Sequence, residues 1–183
     1  MDPISELAAD ERTARIILAI VSEPGDTVTG RMIRTVGASE TVARVVAAEG
    51  PDGDTWQRRL APRIDVAHTQ RVIADAGRHG LRVLIPGDPD WPAGIDALGD
   101  RAPVALWAKG DTALLTAPVW DRITVTGARA STGYGEHVTT ELTRSAVEDS
   151  RQVLSGGAYG IDAAAHRAAL ARDAGRRLAS RHR

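Results

Sequence analysis

Two glycine-rich turns constrain this chain more than any other feature. The second is Ser155-Gly156-Gly157-Ala158-Tyr159-Gly160-Ile161-Asp162, which follows the apolar Val153-Leu154 and precedes the helix-forming Ala163-Ala164-Ala165-His166-Arg167-Ala168-Ala169-Leu170. The first is Gly127-Ala128-Arg129-Ala130-Ser131-Thr132-Gly133-Tyr134-Gly135. It follows the alternating Ile123-Thr124-Val125-Thr126 and leads into a stretch with Val138, Leu142 and Ala146 at helical spacing. A strand that ends in glycines and opens a helix presents backbone N–H groups to an anion. Glycine lets the backbone come close to a phosphate and take positive φ, and the helix dipole favours negative charge there. Two such units in succession predict a parallel sheet with both loops at the carboxyl ends of the strands, the edge where open α/β sheets bind ligands.

The rest of the chain fits around these turns. Residues up to about Arg63 read as small helices: Ala14, Ile17, Leu18 and Val21 share one face of Glu11–Val21, Pro24-Gly25-Asp26 breaks it, and Thr29–Thr35 forms a short helix. Gly37-Ala38-Ser39-Glu40 reads as a turn with Ser39 as N-cap for Glu40–Ala48. Short helices around Val36-Gly37 have the outline of a helix-hairpin-helix, which holds DNA phosphate through backbone amides; a small bundle without a ligand accounts for the same residues more simply. Glu49–Asp54 is the expected linker, Asp65–Arg78 a helix closed at Gly80, and Arg82–Ile85 and Pro103–Trp107 are expected strands. The expected architecture is therefore α/β: a small helical domain of the helix-hairpin-helix or SAM-like kind over residues 1–63, then a partial Rossmann-like parallel sheet over residues 64–183.

Composition removes several function classes. The 183 residues include no cysteine, which excludes disulfides and thiolate metal sites. No apolar run approaches the roughly 20 residues of a membrane span, and the acidic start, Met1-Asp2-Pro3-Ile4-Ser5-Glu6, has no signal-peptide pattern. A cytoplasmic protein is expected, without membrane, metal or cofactor. The net charge of -1 carries no global nucleic-acid signal. There is no Phe, and the two tyrosines, Tyr134 and Tyr159, each sit in one of the glycine-rich turns.

Each candidate residue carries two readings. Arg129 suits a bidentate phosphate contact or an ion pair with Glu136 or Asp162 that braces the loops. Tyr134 and Tyr159 suit stacking on bases or packing beneath their loops. Gly156, Gly157 and Gly160 serve backbone freedom in both cases. Asp162 reads as a helix cap and His166 as a buried hydrogen-bonding residue, so both are structural. Ser155, Asp162 and His166 invite a hydrolase reading, but Ser155 lacks a nucleophile-elbow pattern. Trp91, Trp107 and Trp120 read as core or hinge packing.

At the two turns the sequence resembles the DNA-processing protein A family (DprA, also called Smf). Gly127, Arg129, Thr132, Tyr134 and Gly135 match its Gly-x-Arg-x-x-Ser/Thr-x-Tyr-Gly turn. Ser155, Gly156, Ala158, Gly160, Ile161, Asp162, Ala165 and His166 match its Ser-Gly-x-Ala-x-Gly-Ile-Asp-x-x-Ala-His turn. Ile85–Pro92 and Pro103–Trp107 resemble the segment before the first motif, so the resemblance covers about Leu81 to Leu170. It implies an extended Rossmann-like fold and a single-stranded DNA-binding protein of natural transformation. That protein protects incoming DNA, helps load the RecA recombinase, forms a homodimer at full length and has no catalytic step. The DNA- and phosphate-binding set it implies is Gly127, Arg129, Thr132, Tyr134, Gly135, Ser155, Gly156, Gly157, Tyr159 and Gly160. Two departures stand out: Tyr159 replaces a Lys or Arg of many members, and Arg172–Arg183 reads as a truncated or out-of-frame end. The rival expectations are a nucleotide- or nucleoside-phosphate enzyme of Rossmann-like fold, whose Pro-Gly-Gly-x-Gly-Thr turn is missing here, and an inactive remnant.

Overall fold

The computed structural model describes residues 3–47 and 55–180, and the expected linker Glu49–Asp54 lies outside the described residues. The chain divides into two compact units, Met1–Thr116 and Ala117–Arg183. The division expected at residues 63/64 falls inside the first.

The first unit opens with helices α1 (Pro3–Leu7), α2 (Glu11–Val21), α3 (Thr27–Val36), α4 (Ala38–Ala47), α5 (Thr55–Leu60) and α6 (Val66–Arg78). Their starts are written in the sequence. Asp10, Asp26 and Asp65 each accept backbone N–H bonds from the first turns of α2, α3 and α6. The period of 3.6 in α2 buries Ala14, Ile17, Leu18 and Val21. Ile17 and Leu18 join Ile4, Ala8, Ile33, Ala38 and Val42 in one cluster, and Val21 joins Val45, Trp56 and Leu60 in another. The buried Trp56 indole donates to Thr29 Oγ1 at 2.9 Å.

One expected cap is different. Helix α4 begins at Ala38, so Ser39 lies inside it. The Ala38 N–H donates to Glu11 Oε2 at 3.0 Å, so a carboxylate from another helix caps α4 and Ser39 has no capping work. In a helix-hairpin-helix this amide end would face a phosphate; here Glu11 holds its first N–H.

Strands β1 (Leu81–Leu84) and β2 (Leu106–Lys109) pair antiparallel, with Leu81 opposite Lys109 and Leu84 opposite Leu106. This corrects the expectation that both belong to one parallel sheet. Parallel neighbours need a crossover, usually an α-helix. Between β1 and β2 the chain forms only 3-10 turns at Ala93–Arg101, and it returns antiparallel. Trp91 is buried, as expected of a core residue, and its indole donates to Asp96 Oδ1 at 3.0 Å.

In the second unit, β3 (Arg122–Thr124), α7 (Gly133–Glu148), β4 (Gln152–Leu154) and α8 (Ile161–Ser180) follow in order. Strands β3 and β4 pair in parallel, Ile123 opposite Val153. The parallel arrangement expected from the sequence therefore stands for this pair, as a two-stranded sheet and not an extended one. Helices α7 and α8 pack on each other through small residues: Thr139, Thr143 and Ala146 are buried on α7, and Ala164, Ala165 and Ala168 on α8. Trp120, expected in a core or hinge, is 78% exposed.

Candidate nucleic-acid interface

The parallel pairing of β3 with β4 brings the two glycine-rich loops out at the same end of the sheet. The ladder continues one bond past the strands, from Val125 N–H to Leu154 O at 2.9 Å. Beyond it the loops touch directly: Ile161 N–H donates to Ala128 O at 3.2 Å.

Two glycines owe their identity to this contact. A Cβ on Gly127 would stand 2.8 Å from Ile161 Cγ1, and one on Gly160 would strike the carbonyl oxygens of Ala128 and Arg129. Gly160 also has φ +80°, where a side chain is strained. Both positions therefore need glycine for loop-on-loop packing, whether or not a ligand approaches.

Thr132 caps α7 by accepting the Gly135 N–H at 3.1 Å, and Ser131 Oγ donates to Glu136 Oε1 at 2.7 Å. Arg167 of α8 reaches Glu136 Oε2 at 3.8 Å. Glu136 is thus engaged by the first loop through Ser131 and by α8 through Arg167, and the ion pair expected as one alternative for Arg129 is made by Arg167. Asp162 does not cap the N–H groups of its own helix. Its Oδ1 accepts from Gly127 N–H at 3.3 Å and its Oδ2 from Ala158 N–H at 3.4 Å. Asp162 as a whole is 4% exposed. Burial pushes its pKa up, but the Ala158 and Gly127 amides and the Thr126 and Ser155 hydroxyls outweigh that and hold it below the ordinary aspartate value. The Ser155 hydroxyl is buried and makes no well-aligned hydrogen bond, although it lies close enough to Asp162 to favour its charge.

Arg129 is exposed and has no ion-pair or hydrogen-bond partner among the described residues. Tyr134 and Tyr159 are 79% and 86% exposed, so neither packs beneath its loop. Gly157, at φ +73°, has open space around it, and a Cβ on Gly156 would sit 3.0 Å from Asp162 Oδ2. His166 is half-buried and not hydrogen-bonded to Asp162, so Ser155, Asp162 and His166 form no relay. Among the described residues no cluster of side chains could hold a metal ion, and no helix is long and apolar enough to cross a membrane.

The surface thus offers two docked loops, two helix N-termini, one free guanidinium and two free phenol rings. The plug that Ile161 makes against Gly127 is absent from the sequence expectations, and the Gly-Ile-Asp order is the one local signal of it.

Comparison with known proteins agrees with the motif reading. The family model described as DNA recombination-mediator protein A matches residues 82–179, more than half of the chain and both loops. The chain belongs to the DNA recombination-mediator protein A family. The match extends past Leu170, where the motif resemblance stopped. Two Mycobacterium tuberculosis proteins, of strains CDC 1551 / Oshkosh and ATCC 25618 / H37Rv, are named for the DNA processing protein DprA; each is 37% identical over 84% of this chain and 41% of its own length. The DNA processing protein DprA of Bacillus subtilis strain 168 is 31% identical over 55% of this chain and 33% of its own length. The chain therefore spans well under half the length of these curated relatives.

Proposed function

We propose that this recombination-mediator chain binds single-stranded DNA without sequence preference, through the exposed face of its two glycine-rich loops. One observation carries the reading: Arg129 and Tyr159 on the two joined loops and Tyr134 in the first turn of α7 are all exposed at one sheet edge, and none of the three side chains has a hydrogen bond or ion pair among the described residues. A free guanidinium beside glycine-rich backbone suits phosphate. Exposed tyrosines suit unpaired bases, which present faces that a duplex hides, with stacking worth roughly 1–3 kcal/mol per base. The family's description as a recombination mediator supports DNA as the ligand.

In this reading Gly127, Thr132, Gly135, Ser155, Gly156, Gly157 and Gly160 shape the loops around the backbone of the strand. The chain acts as a binder and not as an enzyme. Its partner after DNA is the RecA recombinase, it pairs with a second copy as a homodimer, and its place is the cytoplasm.

Fluorescence anisotropy with oligo-dT and a matched duplex tests the proposal. Tighter binding to the single strand, weakening as salt rises through counterion release, is the expected result. Equal binding to both forms, or no binding at low salt, overturns it.

A further inference from the structure

We infer that Asp162 is a positioning residue: its carboxylate bridges the two glycine-rich loops and fixes the spacing between Arg129 on one and Tyr159 on the other. The two amides it accepts from, Gly127 N–H at 3.3 Å and Ala158 N–H at 3.4 Å, belong to different loops. Its own helix receives nothing from it. The neighbouring Ile161 completes the lock. Its side chain fills the space over Gly127 and lies 3.4 Å from where a Cβ of Gly135 would stand, while its N–H holds Ala128 O at 3.2 Å. The consecutive pair Ile161-Asp162 thus joins loop to loop by one apolar plug, one backbone bond and one two-ended carboxylate.

The chemistry of the carboxylate suits the task. It is an acceptor at both oxygens, so it satisfies one amide from each loop at once. It also takes those two amides out of the set open to phosphate. The ligand-facing groups that remain are Arg129, Tyr134 and Tyr159, which the fold leaves unused. A strand that meets groups on both loops gains from their fixed separation, because the second contact forms at high effective concentration only when the first has placed it. An asparagine at the same position keeps the volume but turns an NH2 toward one of the two amides. It can serve one loop and not both.

The part of this inference that concerns DNA rests on the proposed function; the part that concerns loop spacing does not. The chain has no cysteine, so the exposed Ala130 and Tyr159 can be replaced as Ala130→Cys and Tyr159→Cys and carry nitroxide labels, whose dipolar broadening reads the separation of the loops. Binding of oligo-dT is measured on the unlabelled, cysteine-free protein. In Asp162→Ala and Asp162→Asn, well below their melting temperatures, the expected result is a broader label separation with helix content unchanged, and affinity for oligo-dT about tenfold lower. If Asp162→Ala does not fold, the isosteric Asp162→Asn supplies the same comparison. Label spectra identical to the parent in a folded variant overturn the lock. A broader label separation with oligo-dT affinity unchanged from a parent that binds overturns the positioning role. A broader label separation where even the parent fails to bind leaves the lock standing and removes the single-strand proposal instead.

Discussion

Arg12 grips Asp88 through a two-pronged pair, Nη1 to Oδ2 at 2.8 Å and Nη2 to Oδ1 at 2.7 Å. The same guanidinium donates to Val83 O at 2.6 Å, and Asp88 accepts the Ile85 N–H at 2.9 Å. Helix α2 is thereby tied to the end of β1. The Arg12 hydrogen bonds, assisted by the Ile85 amide, overcome the effect of burial and lower the Asp88 carboxyl to about 2.

This clamp predicts an acid-sensitive fold. The folded pKa lies below the ordinary 3.8, so the stabilisation is fully present above about pH 4 and is lost as pH falls toward about 2. A shift of this size corresponds to about 2 kcal/mol. Thermal melts across that window should show the parent losing stability that Arg12→Ala has already lost at neutral pH. The two melting curves should converge near pH 2. Parallel curves at all pH values would show that the pair contributes nothing.

Arg129→Ala separates ligand contact from bracing. The Arg129 side chain is exposed, with no hydrogen-bond or ion-pair partner among the described residues, so its removal should leave the melting temperature unchanged within about 1 °C, as for surface changes generally. Oligo-dT binding should weaken for every sequence, with a salt slope smaller by about one contact. A lower melting temperature with an unchanged slope assigns Arg129 to the fold.

The tyrosines predict a different signature. Both rings are exposed, so Tyr134→Ala and Tyr159→Ala should be neutral for stability. Each should cost roughly 1–3 kcal/mol of binding with little change in salt slope, because stacking releases no counterions. Tyr159→Lys should recover affinity but steepen the slope. Equal affinity of parent and both alanine variants would remove stacking from the reading.

How far the sequence revealed this arrangement depends on the kind of interaction. The loop-to-helix units were legible because strand, glycines and helix are local. Helix α2 was legible to the residue, since its apolar period and Pro24-Gly25 mark both face and end. The parallel pairing of β3 with β4 was legible too, from the repeat of that unit, but the particular side-chain contacts made across sequence distance stayed hidden. Ser39 looked like a cap because it precedes Glu40, but the acceptor for α4 comes from Glu11, 27 residues earlier. Asp162 looked like a cap because it opens a helix, but its partners include Gly127, 35 residues away. The antiparallel return of β2 also has no local signature, because pairing direction is set by the route of the connection.

Gly160 and Gly157 separate two reasons for glycine. Gly157→Ala meets no neighbour and incurs only the strain of positive φ, about 1 kcal/mol. Gly160→Ala adds collision with two carbonyl oxygens of the first loop and should be worse by at least about 2 kcal/mol, as for overpacked sites. Chemical denaturation of the two variants side by side measures this. Equal losses would mean that the loops part without resistance.

The two units should also differ in how easily they open. The first buries Ile17, Leu18 and Leu60 completely, along with Val21, Val42 and Val45. Among the described side chains of the second unit, which run to Ala171, the buried apolar ones are Ala146, Ala164, Ala165 and Ala168, while Leu142, Leu154 and Leu170 are exposed. Complete burial of a Leu or Ile stabilises by roughly 1.5–3 kcal/mol, and one methyl by under about 1 kcal/mol. Nor can the sheet make up the difference, since two paired strands alone are marginal in water. Thr143, buried on α7, has no partner for its hydroxyl among the described residues, which works against the burial of that helix. Native-state hydrogen exchange should therefore find α7 and α8 opening at a free energy at least about 2 kcal/mol below that of α2 and α4, as a separate cooperative unit. Oligo-dT should raise protection in α7 and α8 selectively if the loops hold the strand. Amides of α7 that exchange as slowly as those of α2 without DNA would show that alanine and threonine packing suffices to hold the second unit closed.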